Sequence, residues 1–139
     1  MDRSFLEDVF TQGRCYIFAP ILQKRLRLPL GIYYNVKKRA SIIHMFLLDP
    51  FGYIVDGLGR RSIEDMINSY ELDDATIEDT RIEKCSNKRF HRWMATYYGD
   101  HLNKIKKDSE LIKNANYLAD LIFEEVHYHY AESLKVNII

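Results

Sequence analysis

The sequence predicts an α+β fold: a small antiparallel sheet, an N-terminal cysteine-bearing helix packed on it, and further helices towards the C-terminus. Three observations carry that expectation. Between Leu30 and Asp56, short runs rich in aromatic and β-branched residues are separated by turn residues, as strands and hairpins are. From Cys15 to about Leu28, Ile17, Phe18, Ile21, Leu22 and Leu26 recur at helical spacing, with Lys24, Arg25 and Arg27 on the other side. From Asn87 the pattern is helical, and it ends in an apolar stripe of Leu111, Ala115, Leu118, Leu121, Ile122, Val126 and Tyr130.

In order, Ser4 to Phe10 reads as a short helix with Phe5, Leu6, Val9 and Phe10 on one face. Gly13 opens a turn before Cys15. Pro20 leaves two alternatives for the next helix: a kink at Pro20, or a regular helix that begins near it with Cys15 in the preceding turn. Leu30 to Val36 reads as a strand, Lys37-Lys38-Arg39 as a basic turn, and Ser41 to Leu48 as a second strand. Asp49-Pro50-Phe51-Gly52 has the residues of a type I turn closed by glycine, which leads into a third strand over Tyr53 to Asp56. Gly57-Leu58-Gly59 breaks that strand. Ser62 followed by Asp65 fits a capping box for a helix to about Tyr70. Glu71 to Asp79 reads as acidic and irregular, and Arg81 to Cys85 as a short edge strand. Phe90, Trp93, Met94 and Tyr97 share one helical face expected to lie in the core, and Gly99 or Lys106 to Ser109 separates this helix from the last, of about seven turns.

The 139 residues fit a single domain over 1–139, read as an α+β core over 1–86 and a helical C-terminal extension over 87–139. Hydrophobic residues at 47% and charged residues at 29% exclude a disordered chain. Lys plus Arg equals Asp plus Glu at 20 each, so bulk charge gives no reason to expect nucleic acid or an anionic membrane. No apolar run approaches the ~20 residues of a membrane span. The N-terminus lacks the pattern of a secretory signal, and Cys15 and Cys85 are expected as reduced thiols in a cytoplasm. Nothing in the sequence asks for a cofactor or a metal. If the C-terminal stripe is wider than the domain can cover, it forms a homodimer interface.

One constellation can do chemistry: Cys15, His44 and Asp56. A thiol attacks carbonyls as thiolate, and a helix N-terminus or a neighbouring imidazolium favours that form. Free N–H groups at the helix start can also hold the oxyanion produced by attack. A base on a facing strand is rigidly placed, and His44 lies mid-strand. If Gly52 makes a bulge, Asp49 pairs with Tyr53 and Phe46 lies opposite Asp56, so Asp56 shares a sheet face with His44 on a diagonal. Without the bulge Asp56 falls on the other face. Asp49, at the turn, is too far along the hairpin to serve.

The pattern Phe10-Thr11-x-Gly13-x-Cys15-x-x-Phe18-Ala19, then Leu28-Pro29, a strand with His44, and Asp49-x-x-Gly52-x-x-x-Asp56-Gly57 resembles short bacterial and phage-borne chains of the papain-like, NlpC-type cysteine peptidase fold. The likeness spans roughly residues 9 to 70. It implies Cys15 as nucleophile, His44 as base, Asp56 as the residue that orients the imidazole, and Gln12 as an oxyanion donor. Two departures stand out. Pro20 disturbs the cysteine's helix, and His44 and Asp56 are closer in sequence than the papain pattern has them.

Each residue also has a plainer role available: Cys15 as core, His44 as a hydrogen-bonded strand histidine, Asp56-Gly57 as turn chemistry. Cys85 is expected to be structural. Glu124, Glu125, His127 and His129 resemble metal ligands, but without a second matching helix they read as a solvated face. The clusters Lys24/Arg25/Arg27 and Lys37/Lys38/Arg39 read as solvent-facing or as one basic patch. Two function classes follow. One is a thiol hydrolase or transferase acting on an amide or peptide bond of a protein or peptide substrate. The other is a non-catalytic protein-binding module on the same frame, such as a phage or mobile-element inhibitor of a host enzyme. For an enzyme, Cys15→Ser and His44→Ala are each expected to abolish activity with little change in melting temperature.

Overall fold

A computed structural model describes residues 2–38 and 42–138 of the chain; Arg39 of the basic turn and Ser41, expected to open the second strand, lie outside them. The fold is mixed helix and sheet, with one five-stranded antiparallel sheet. Its elements are α1 (Arg3–Gln12), α2 (Cys15–Leu26), β1 (Leu30–Asn35), β2 (Ile42–Leu48), β3 (Tyr53–Asp56), β4 (Gly59–Ser62), α3 (Ile63–Asn68), α4 (Asp74–Glu78), β5 (Thr80–Cys85), α5 (Asn87–Lys106) and α6 (Ser109–Ile138). The strand order is β4-β3-β2-β1-β5, so consecutive hairpins build most of the sheet and β5 returns to pair with β1. Among the described residues no helix is long and apolar enough to cross a membrane.

The sheet separates two apolar layers, as the period-2 alternation of its strands dictates. Ile32, Met45, Leu47 and Val55 face the larger layer, where they meet Leu6 and Phe10 of α1, Phe18 and Leu22 of α2, and Leu118 and Ile122 of α6. Tyr33, Phe46 and Ile54 face a smaller layer closed by Met66 of α3. At Gly31 the strands crowd: a Cβ there would lie 2.6 Å from Phe46 Cε2 and 2.9 Å from Leu48 Cγ.

The central hairpin has the register expected of a bulged turn. Leu48 pairs with Ile54 and Leu47 with Val55, the Asp49 N–H donates to the Tyr53 carbonyl at 2.9 Å, and Gly52 takes a left-handed φ of 89°. Of the two alternatives at Pro20, a helix that begins near it with Cys15 in the preceding turn is overturned, because α2 begins at Cys15 and runs through Pro20 to Leu26. Pro20 is the sixth residue of α2, past the first turn, so the helix forgoes one interior i→i−4 backbone bond there.

Three expectations are corrected, and one pair of alternatives is decided. Gly59–Ser62 is a strand, not a break followed by coil; a two-residue turn, Gly57-Leu58, joins it to β3. Residues 71–79 hold a short helix, α4, capped by the Asp73 side chain on the Thr76 N–H. Gly99 lies inside α5, and the break comes after Lys106. Tyr97, expected in the core, is 53% exposed, while its neighbours Phe90 and Met94 are buried.

The last helix is no appendage. Ala115, Leu118, Ala119, Ile122, Val126 and Tyr130 of α6 are buried in the same core as α1 and α2. Polar contacts fix it further. Arg25 donates to Asp120 and Asn116, Arg3 to Glu125, and the Tyr130 hydroxyl to Asp49. Asp49 is also bound by Arg60, and the hydrogen bonds from Tyr130 and Arg60 outweigh burial to hold its carboxyl below the usual range.

Candidate active site

Cys15 is the first residue of α2. The turn Gly13-Arg14 delivers it, and Arg14 precedes the helix without a side-chain cap on its first turn. The Ile17 and Phe18 N–H groups both reach back to the Arg14 carbonyl. The helix therefore presents its positive end at the cysteine. Cys15 is 8% exposed and lines a cleft of about 150 Å³ with Gln12, Gly13, Tyr16 and side chains of β2 and α5. Gln12 is exposed at that cleft.

His44 is held by β2 at an irregular point of the sheet. Tyr33 pairs with His44 but Tyr34 with Ile42, so Ile43 is an extra residue in the ladder. Such a bulge re-aims a side chain, and bulges recur beside reactive centres. The His44 side chain is wholly buried, with its ring between those of Phe46 and Tyr70 at centroid distances of 5.6 and 5.5 Å.

Asp56 closes β3, and its carboxylate is fully used. Oδ2 accepts from His44 Nε2 at 2.8 Å and from Arg61 Nε and Nη2 at 3.0 and 2.6 Å; Oδ1 accepts from the Leu58 N–H at 2.9 Å. Burial opposes its ionisation most strongly, but the His44 and Arg61 contacts prevail and hold the carboxyl below its usual range. An ionised Asp56 assigns the Nε2 proton to His44, which leaves Nδ1 as the nitrogen that exchanges protons. Nδ1 makes no hydrogen bond of normal geometry within the protein.

The Cys15 thiol is the second group that acts on this ring. Burial favours neutral imidazole, yet the bond to Asp56 and the neighbouring Cys15 together raise His44 above its ordinary pKa. The structure thus brings Cys15, His44 and Asp56 together. It leaves Asp49 outside the cluster, in its own buried contacts with Arg60 and Tyr130.

Two members of the cluster were missed from sequence. Arg61 lies opposite Ile54 on β4, a diagonal neighbour of Asp56. Reading Gly57-Leu58 as a two-residue hairpin turn would have placed it there. Tyr70 covers the His44 ring and donates its hydroxyl to the Thr11 carbonyl at 2.8 Å, tying the segment after α3 to the last turn of α1, just ahead of Cys15. Burial first, then the nearby Cys15 and Asp56, push the Tyr70 phenol up, so it stays a donor. No local sequence signal marks it, because its contacts are tertiary.

The other candidates lie elsewhere. Cys85 is buried in β5, and burial pushes its thiol up. Among the described residues no group of three or more His, Cys, Asp or Glu could hold a metal. Glu125 pairs with Arg3, and His127 bonds to the Phe123 carbonyl. Arg25 is engaged with α6 and Lys37 with Asp79, which divides the two basic clusters among separate partners. No protein-family model matches this chain, and no curated protein or solved structure is detectably similar to it.

Proposed function

We propose that the chain is a papain-like thiol hydrolase or transferase that cleaves an amide or peptide bond through Cys15, His44 and Asp56. The observation that carries this reading is the environment of His44. A wholly buried imidazole has one nitrogen fixed by an ionised carboxylate, the other unbonded, and a helix-start thiol beside it. A histidine kept only for packing would have both ring nitrogens satisfied.

In the proposed reaction Sγ of Cys15 attacks the carbonyl carbon and its proton passes to Nδ1 of His44. The C–N bond breaks as Nδ1 gives that proton to the departing amine, leaving an acyl thioester on Cys15. Water, or an acceptor amine in a transferase, then attacks the thioester and loses its proton to Nδ1. The C–S bond breaks and the sulfur takes the proton back. Asp56, steadied by Arg61, holds the ring and offsets its transient positive charge. N–H groups at the start of α2 and the Gln12 amide are the candidate oxyanion donors.

Iodoacetamide tests the reading directly. At about pH 6.5 Cys15 should be alkylated many times faster than a free thiol, and Cys15→Ser should abolish turnover of any amide substrate. A rate equal to that of a free thiol would end the catalytic reading. His44→Ala is a poorer control than the sequence suggested, because it empties a buried site and strands Asp56 and Arg61; it should lower the melting temperature as well.

One observation favours the second reading, a protein-binding module on this frame. Cys15 is 8% exposed behind a cleft of only about 150 Å³, which is narrow for a folded or extended substrate. In that case Cys15→Ser keeps the full biological effect, and sensitive positions lie on the surface.

A further inference from the structure

Next to the Cys15 cleft lies a second cavity, of about 250 Å³. The two share Ile42, Met45 and Trp93, so one wall of the cleft is a wall of the cavity. Ile32, Met45, Cys85 and Phe90 form its buried apolar floor, while the rest of its accessible lining is largely polar. Its rim is polar and already neutralised. The Tyr34 hydroxyl donates to Glu83 Oε1 at 2.7 Å, and Arg89 donates to Glu83 Oε2 at 2.9 Å. The volume falls below the roughly 300 Å³ at which pockets for whole drug-sized ligands begin, which suits one large side chain.

Trp93 adds an independent observation. Its indole Nε1 is buried and has no hydrogen-bond partner in the protein. Buried donors are nearly always satisfied, so an orphan at the border of two cavities points to an acceptor that arrives from outside.

Resting on the catalytic reading above, we infer that this cavity is the specificity pocket of the site. It takes an aromatic or branched aliphatic side chain from the residue flanking the scissile bond, and Trp93 Nε1 donates to a backbone carbonyl of the same substrate. A charged side chain is disfavoured, because it would displace the Glu83–Arg89 pair or reach the apolar floor unpaired. The helix α5, which the sequence left without a role, thereby supplies substrate selection through Phe90 and Trp93.

The test compares N-acetyl-phenylalanyl, N-acetyl-glycyl and N-acetyl-glutamyl chloromethyl ketones on the intact protein, with iodoacetamide as a reference without a side chain. In each ketone the sulfur of Cys15 displaces chloride: an S–C bond forms, the C–Cl bond breaks, and the thiol proton passes to His44 or solvent. Peptide mapping locates the adduct. The phenylalanyl reagent should modify Cys15 at least about tenfold faster than the glycyl and glutamyl reagents. Trp93→Phe, which keeps an aromatic ring but removes the donor, should lose part of that preference, read as the ratio of the phenylalanyl to the glycyl rate within the variant.

Equal rates with all three ketones and fast iodoacetamide would overturn the pocket and spare the catalytic reading. Slow reaction with every reagent would refute catalysis. The pocket would then stand or fall on Trp93, the single tryptophan of the chain. Its fluorescence should respond saturably to N-acetyl-phenylalaninamide and not to N-acetyl-glycinamide, and no response to either would overturn the pocket too.

Discussion

Replacing Asp56 should reveal how much of the fold's stability sits in the candidate site. Asp56 is 2% exposed, and its carboxylate receives His44, two nitrogens of Arg61 and the Leu58 N–H. Asp56→Ala leaves two basic groups and one N–H without their acceptor. Removing one partner of a buried pair costs about 3–5 kcal/mol. That is a large part of the roughly 5–15 kcal/mol that holds a domain together. The melting temperature should fall by on the order of 10–20 °C. Asp56→Asn keeps the shape and one carbonyl acceptor, so it should cost only about 1–3 kcal/mol. The pH dependence sharpens the test. His44 is held above its ordinary value of about 6.5, so its contribution is complete below that pH and is lost as pH rises through the raised value. Asp56 is held below its ordinary value of about 3.9, so its contribution is complete above that pH and is lost as pH falls through the lowered value. The stability difference between wild type and Asp56→Asn, measured by urea unfolding from acid to alkaline pH, should therefore form a plateau between about pH 4 and 6.5 and decline on both sides. A difference independent of pH, or an Asp56→Ala cost below about 1 kcal/mol, would refute the coupling of these groups.

Other substitutions probe the scaffold. Gly31→Ala must push a methyl against Phe46 and Leu48, and should cost about 1–3 kcal/mol in chemical denaturation. Gly52→Ala forces a side chain into the left-handed region at φ 89°, and should cost roughly 1–2 kcal/mol without altering the Cys15 alkylation rate. Leu118→Asp buries an unpaired charge at a fully enclosed position of α6 and should prevent folding, while the half-buried Leu121→Asp should give a folded but less stable chain by circular dichroism. Tyr70→Phe removes the donor to the Thr11 carbonyl. It should lower stability by about 1 kcal/mol and change the iodoacetamide rate of Cys15 more than that of Cys85.

The hairpin was the most legible part of the sequence, because turn chemistry there decides side-chain direction. Asp49-Pro50-Phe51-Gly52 implied a bulge, the bulge fixed the register, and the register put Asp56 on the face of His44. The helix starts at Ile63 and Asn87 were legible for a similar reason, since local capping and periodicity mark them, whereas Pro20 and the lack of a side-chain cap left the start at Cys15 open. β4 was hidden by its composition. Arg60-Arg61 reads as exposed, and only pairing across the hairpins with Asp49 and Asp56 makes a strand of two arginines tolerable there. Five-residue α4 was too short to show a period, and its cap at Asp73 lay within an acidic run. The Ile43 bulge, Tyr70 over His44 and the cavity under Trp93 depend on contacts between segments far apart in the chain. No window along the sequence contains both partners of such contacts.

The packing of α6 bears on how the chain is made. Its contacts run back to Arg3, Arg25 and Asp49, across separations of 122, 95 and 81 residues. During synthesis the segment that carries Cys15, His44 and Asp56 leaves the ribosome long before α6 does. Until then α2 lacks the partner that buries its apolar side, so the nascent thiol sits in an open, unassembled layer. Contacts this distant in sequence also slow closure of the fold. The emerging chain thus passes through an interval in which Cys15 is accessible but not yet held in the finished site, when a chaperone or a chance oxidant would meet it first. A nascent protein stalled before α6 should bind holdases and react with maleimide at Cys15, and its release with α6 attached should end both.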